Sequence, residues 1–211
     1  MNKKKNKPPV FWQKAKKTLS TKDTKLSKII KSYPNDFLFS KSDPFYTLAR
    51  SIVGQQISVK AAQSVWDRLE IKIDKISPQT IKKIHSSTLK STGLSKQKVS
   101  YLKNLASSFL EKKIKIDVWD KMNDEEIVQD LIQIKGVGRW TAEMFLIFNL
   151  CRADIFPLDD IGMIRGLCKL YNIKYPTKRE VIIRIGEKWK PYRSVATWYL
   201  WRSLDPIPVE Y

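Results

Sequence analysis

Two helical patterns in this chain are separated only by Lys135-Gly136-Val137-Gly138, and that break constrains the fold more than any other stretch. Upstream, Asn123 and Glu126 stand three residues apart, a helix-start signature. Ile127, Leu131 and Ile134 then recur at helical spacing. Downstream, a second helical pattern runs from Trp140 to Leu150. Glycine tolerates positive φ and close backbone approach, so the unit reads as helix, tight turn, helix. Exposed amides and the positive dipole end of the second helix make a phosphate site. An ordinary αα-corner with a glycine C-cap fits the same residues, and the G-x-G alone leaves both readings open.

The flanking residues add context. Leu131-Ile-Gln-Ile-Lys-Gly-Val-Gly-Arg-Trp-Thr-Ala142 resembles the helix-hairpin-helix of the base-excision DNA glycosylases. Phe156-Pro-Leu-Asp-Asp-Ile161 resembles their Gly/Pro-rich loop with its terminal aspartate. Within this superfamily, called HhH-GPD, the likeness is closest to bacterial 3-methyladenine DNA glycosylase II, the alkylbase enzymes. It runs from about Pro44 to Arg202. The resemblance implies an all-α fold of two helical lobes around a central cleft. It also implies that the chain is a compact version, since the larger bacterial enzyme has an additional N-terminal domain.

Composition agrees with a polyanionic partner. Forty Lys and Arg against twenty-one Asp and Glu give a net charge of +19, which favours nucleic acid first and anionic membrane second. A generally lysine-rich proteome would give the same surplus. No run of eighteen apolar residues spans a membrane, and the N-terminus carries no apolar signal core. The expected location is therefore cytoplasmic, with activity on the nucleoid. Only Cys151 and Cys168 are present, which points to two buried thiols in a reducing compartment. Two cysteines also exclude the four-cysteine iron–sulfur cluster of many relatives.

In chain order, residues 1–17 are expected to form a basic, partly disordered tail, the first nine residues without structure. Residues 18–211 form the glycosylase domain, with the hairpin unit at about 124–150. Ser42-Asp43-Pro44 starts a helix. Gly54-Gln55-Gln56-Ile57 breaks the pattern before Ser58 caps a helix burying Ala61, Ala62, Val65, Trp66 and Leu69. Gly93 ends one helix and Ser95 caps the next. Ile71–Ile76 is ambiguous between helix and strand. His85, the single histidine, reads as a surface residue. Thr177 and Glu180 form a second capping box, and Pro191 restarts a final helix over Tyr192–Leu204. The expected total is nine or ten helices.

The resemblance assigns roles residue by residue. Asp160 matches the family's catalytic aspartate, and Asp159 becomes an N-cap or a support for the loop. Read without the hairpin, Asp-Asp before a helical pattern is a helix cap. A carboxylate beside C1′ stabilises oxocarbenium-like charge and orients water, as in glycosidases. Trp140 stands where bifunctional relatives such as endonuclease III place the Schiff-base lysine. An indole is no nucleophile, which favours a monofunctional enzyme. Ring N-alkylation makes a purine cationic, and cation–π stacking on an aromatic wall favours such a base. Tyr192 and Trp201 match further pocket positions, although tryptophans at helical spacing also belong in cores.

Gln55, Gln56 and Ile57 match the loop that enters the minor groove and fills the gap left by a flipped base. Lys135, Gly136, Val137, Gly138, Arg139 and Thr141 form the expected DNA-binding turn. The carbonyls of Ile132, Ile134 and Val137 match a monovalent cation site, Na+ or K+. No cofactor is otherwise required. The expected activity is excision of 3-methyladenine and 7-methylguanine from duplex DNA by a monomer. Uracil, mismatched thymine or oxidised guanine as substrate is the alternative within the enzyme class. A non-catalytic helix-hairpin-helix module that only binds DNA is the alternative outside it.

Overall fold

The computed structural model describes residues 7–40 and 43–205, so Ser42 and Lys3, Lys4 and Lys5 of the basic tail lie outside the described residues. The described residues contain twelve α-helices, one 3-10 turn and no strand. They group into two compact units, 7–40 with 146–205 and 43–145.

The first unit contains α1 (Trp12–Lys22), α2 (Thr24–Ser32), α10 (Ile161–Tyr171), α11 (Arg179–Glu187) and α12 (Arg193–Arg202). Its core is α12, in which every residue from Ser194 to Trp201 is buried. A helix buried on all sides belongs at the centre of a bundle, and α1, α2 and α10 pack against it. Trp12 meets Trp198 edge-on at 5.3 Å and Tyr199 at 5.9 Å. The basic tail expected through residue 17 therefore ends before Trp12, which is 1% exposed on a regular helix. Lysines at positions 14, 16 and 17 hide this in the sequence, but Trp12, Ala15 and Leu19 lie on one buried face. Truncating a buried tryptophan of this kind costs about 3–5 kcal/mol. Gly166 brings α10 close to α12, since a Cβ there would lie 2.9 Å from the Leu200 carbonyl oxygen.

Asp23 ties this unit together from inside. Its Oδ1 accepts the Lys25 and Leu26 amides and caps α2, while Oδ2 accepts the Tyr171 hydroxyl and the Trp189 indole N–H. The expected capping box at Thr177 and Glu180 does not form. The N-cap of α11 is Lys178, one residue later, which moves Glu180 out of the third position that the box requires. Cys168 is buried and Cys151 half-buried, both as free thiols, and burial pushes the Cys151 thiol up to about 11.

The second unit contains α3 (Pro44–Gly54), α4 (Val59–Lys72), α5 (Pro78–Lys83), α6 (Ser86–Lys90), α7 (Lys96–Leu110), a 3-10 turn (Ile116–Val118), α8 (Asp124–Leu131) and the start of α9 (Arg139–Phe148). Helix α7 packs against α3, α5 and α6. Asp43, Ser58 and Ser95 cap α3, α4 and α7 through their side chains. Helix α4 continues through the ambiguous Ile71, and it fully buries only Trp66 and Leu69. Ala61 is exposed, because the first turns of α4 project from the packed face. His85 is exposed at the start of α6, as expected. Buried Asp130 accepts the Lys115 amide and the Trp119 indole N–H, both at 2.8 Å, fixing the connection into α8.

Candidate active site and nucleic-acid interface

The loop before α10 is held from both sides within the first unit. Arg193 donates through Nε and Nη2 to the Asp154 carboxylate at 2.9 and 2.8 Å. The Ser194 hydroxyl donates to the Arg152 carbonyl and accepts the Ile155 amide. Phe156 then lies over Gly186, where a Cβ would meet its ring at 2.3 Å. Asp159 is exposed and pairs with Arg179 at 2.6 Å.

Asp160 terminates this loop as the N-cap of α10, and it is 8% exposed. Its Oδ1 accepts two N–H donors, the Met163 amide at 2.6 Å and the Trp201 indole at 2.7 Å. Two donors at these lengths fix the orientation of the carboxylate. Trp201 is 7% exposed and stacks on Phe148 at 5.6 Å with ring planes 13° apart. Gly162 completes the contact: a Cβ there would lie 3.1 Å from the Trp201 ring and 3.2 Å from Asp160 Oδ1. Asp160, not Asp159, is therefore the cap of α10, and Asp159 is held outside it by Arg179. Tyr192 precedes α12, half-buried, with its ring stacked on Phe11 at 6.3 Å. Phe148, Gly162 and Arg179 were missed in the sequence, because partners this distant leave no spacing signal.

The hairpin belongs to the second unit. Asn123 and Glu126 form the expected capping box of α8, each side chain accepting the other's amide. Gly136 has φ +98, a left-handed value, and a Cβ there would meet the Tyr101 ring at 2.2 Å. Gly138 lacks both constraints: a Cβ there would meet nothing within 4 Å. Its carbonyl accepts the Ala142 amide at 3.0 Å, making it the start of α9. The first amides of a helix point outward along its axis from the N-terminus.

Lys135, Gly138 and Arg139 are exposed, Trp140 is half-buried and Val137 is 4% exposed. Arg139 forms a two-point pair with Glu125, at 3.0 and 2.5 Å. Its hydrogen bond to Glu125 is the largest cause holding that carboxyl below its usual range. Thr141, at the third position of α9, turns its side chain inward. It is 2% exposed, and its hydroxyl accepts Gln55 Nε2 at 3.0 Å. Gln56 takes φ +58, left-handed for a residue with a Cβ, and Ile57 is 41% exposed.

Among the described residues no group of three or more His, Cys, Asp or Glu side chains could hold a metal ion. Backbone oxygens offer a different donor set. Ile132 ends α8, and Ile134 follows with a carbonyl that accepts the Val137 amide at 2.9 Å. Carbonyls near a helix C-terminus carry its negative dipole end, and an all-oxygen set suits a hard cation.

Comparison with known proteins agrees with this geometry. The model of the HhH-GPD superfamily base excision DNA repair proteins matches residues 49–191. The chain is 32% identical over 184 residues to DNA-3-methyladenine glycosylase 1 of Schizosaccharomyces pombe, covering 85% of this chain and 80% of that protein. The S. pombe 3-methyladenine DNA glycosylase solved with abasic DNA superposes with a TM-score of 0.81 at 30% identity, covering 90% of this chain and 96% of that one. A DNA-3-methyladenine glycosidase structure from Bacillus halodurans gives 0.73 at 30% identity, covering 90% and 88%. A glycine-turned hairpin, a loop ending in a buried aspartate and these likenesses place the chain in the HhH-GPD superfamily of base excision DNA repair proteins.

Proposed function

We propose that this protein is a monofunctional DNA glycosylase that hydrolyses the N-glycosidic bond of alkylated purines, 3-methyladenine and 7-methylguanine, flipped from duplex DNA. The observation that carries the reading is Asp160, a buried carboxylate fixed by Met163 and Trp201 at the end of a braced loop. Cleavage of the bond to C1′ leaves positive charge on the sugar, and a preoriented carboxylate stabilises it and directs water to C1′. The relatives named as 3-methyladenine glycosylases support alkylated purines as the substrate class.

The aromatic residues support the same substrate. Trp140 carries an indole where an amine would be needed for a Schiff base. An aromatic face stabilises a cationic alkylpurine by cation–π attraction, and such a base leaves without a strong general acid. Tyr192 is proposed as a further aromatic contact with the base. Trp201 is proposed as a further pocket aromatic; its N–H also donates to Asp160, and its ring stacks on Phe148.

The amides at the start of α9, with Gly138, Lys135 and Arg139, are the proposed phosphate contacts. Open space beside Gly138 permits the close approach of a backbone that they require. The carbonyls of Ile132, Ile134 and Val137 would hold Na+ or K+, which would add positive charge beside a DNA phosphate. Gln56 and Ile57 are the proposed insertion residues. Release of methylated purines in preference to uracil or oxidised guanine from matched duplexes tests the reading. Equal or faster release of a neutral base would overturn the substrate class. A covalent adduct trapped by borohydride would overturn monofunctional chemistry.

A further inference from the structure

The loop between α3 and α4 and the turn between α8 and α9 are separate in sequence but are tied together by one side chain. Gln55 Nε2 donates to the Gly136 carbonyl at 2.9 Å and to the Thr141 hydroxyl at 3.0 Å. A carbonyl oxygen only accepts, so the amide orientation of Gln55 is fixed by chemistry. Both hydrogens of that nitrogen are thereby occupied inside the protein. Helix α7 braces the same two segments from beneath. The Lys98 ammonium donates to the Val53 carbonyl at 2.7 Å, at the end of α3. One turn along, the Tyr101 ring fills the space that a Cβ on Gly136 would need.

The tie ends beside the strained part of the loop. Gln56 is held at φ +58, a conformation that costs a residue with a Cβ about 1 kcal/mol or more. Exposed Ile57 and Val59, at 41% and 43%, follow at once. Backbone strain of this kind persists only where the surroundings fix it. Gln55 is the residue adjacent to it, and its two hydrogen bonds lead straight to the turn.

We propose that Gln55 is a positioning residue rather than a DNA contact: it couples the Gln56–Ile57 loop to the hairpin turn, so that seating a phosphate on the turn sets the loop for insertion. The coupling rests on the glycosylase reading, in which this loop unstacks a duplex. Breaking the tie leaves the turn's amides able to hold phosphate but lets the loop relax from its strained conformation. Insertion is then lost more than binding.

The test uses the full chain and a duplex carrying a tetrahydrofuran abasic analogue beside 2-aminopurine, whose fluorescence rises on unstacking. Wild type, Gln55→Leu, Thr141→Val and the double variant are compared for affinity, for the fluorescence change at saturating protein, and for Tm. Gln55→Leu is expected to lower the saturating change about fivefold, roughly the worth of one neutral hydrogen bond, while affinity falls less than that. Thr141→Val should act in the same direction, and the double variant should be no worse than Gln55→Leu, because the partners share one interaction. An unchanged saturating signal in Gln55→Leu, or fully additive losses, would overturn the coupling. So would losses in signal and affinity that both scale with Tm, the mark of a merely structural role. No unstacking by wild type would instead overturn the glycosylase reading, and the coupling with it.

Discussion

The Trp201 indole N–H donates to Asp160 Oδ1 at 2.7 Å, joining the last turns of α12 to the residue that caps α10. This makes Trp201 a partner of the carboxylate as much as a core aromatic. Trp201→Phe keeps a ring against Phe148 and removes only the donor. A hydrogen bond to a charged group contributes about 1.5–3 kcal/mol, so single-turnover base release should slow about tenfold or more, with DNA affinity little changed. Unchanged single-turnover rates would show that the donor has no part in orienting Asp160.

The two hairpin glycines should respond oppositely to the same substitution. Gly136→Ala puts a Cβ into the Tyr101 ring at a left-handed φ, and Tm should fall by several degrees. Gly138→Ala meets open space, so its Tm should stay close to wild type while its affinity for duplex DNA falls. Thermal melting and fluorescence anisotropy separate the two effects. Unimpaired DNA binding by Gly138→Ala would remove the close backbone approach from the account.

If Arg139 contacts DNA as proposed, Glu125 competes with phosphate for it. Glu125→Gln removes the charge from the two-point pair and so weakens one competitor for the guanidinium. An exposed pair is worth no more than about 1 kcal/mol, so binding to undamaged duplex should tighten by two- to fivefold at low salt. The slope of log K against log salt should steepen by about one phosphate contact. A titration of affinity against salt concentration checks both. Identical slopes would mean that Arg139 stays away from the DNA backbone.

Asp23 sets an acid limit on stability. Burial raises its carboxyl, but donors from Tyr171, Leu26, Trp189 and Lys25 outweigh that and hold it below its ordinary value. A depressed carboxyl stabilises the fold above its unfolded value of about 3.9, and the contribution is lost as pH falls through the folded one. Asp23→Asn should cost about 2–3 kcal/mol near neutrality and flatten the stability curve below about pH 4. Denaturant melts from pH 3 to 7 on both proteins give the comparison.

Local signals in the sequence carried much of this structure. The Asn123–Glu126 box, the caps at Asp43, Ser58 and Ser95 and the left-handed Gly136 are all short-range, and each appears where its spacing places it. The N-terminal helices were less legible, since lysines on α1 mask the face that buries Trp12 and Leu19. Tertiary pairings left no trace at all. Nothing near Trp201 marks its bond to a residue 41 positions away, and nothing near Gln55 marks its bond to Thr141, 86 positions away. At Thr177 the box spacing was present, but the helix began one residue later and left it unused.

The central claim is that Asp160 performs the chemistry, and the most direct measurement is base release from methylated duplex DNA by wild type and Asp160→Asn. Asparagine can still cap α10, so the fold and DNA binding should persist. Release of methylated purines should fall by a factor of about 100 or more, the scale of losing a principal electrostatic stabiliser. Release at the wild-type rate by a folded, DNA-binding Asp160→Asn would contradict the account.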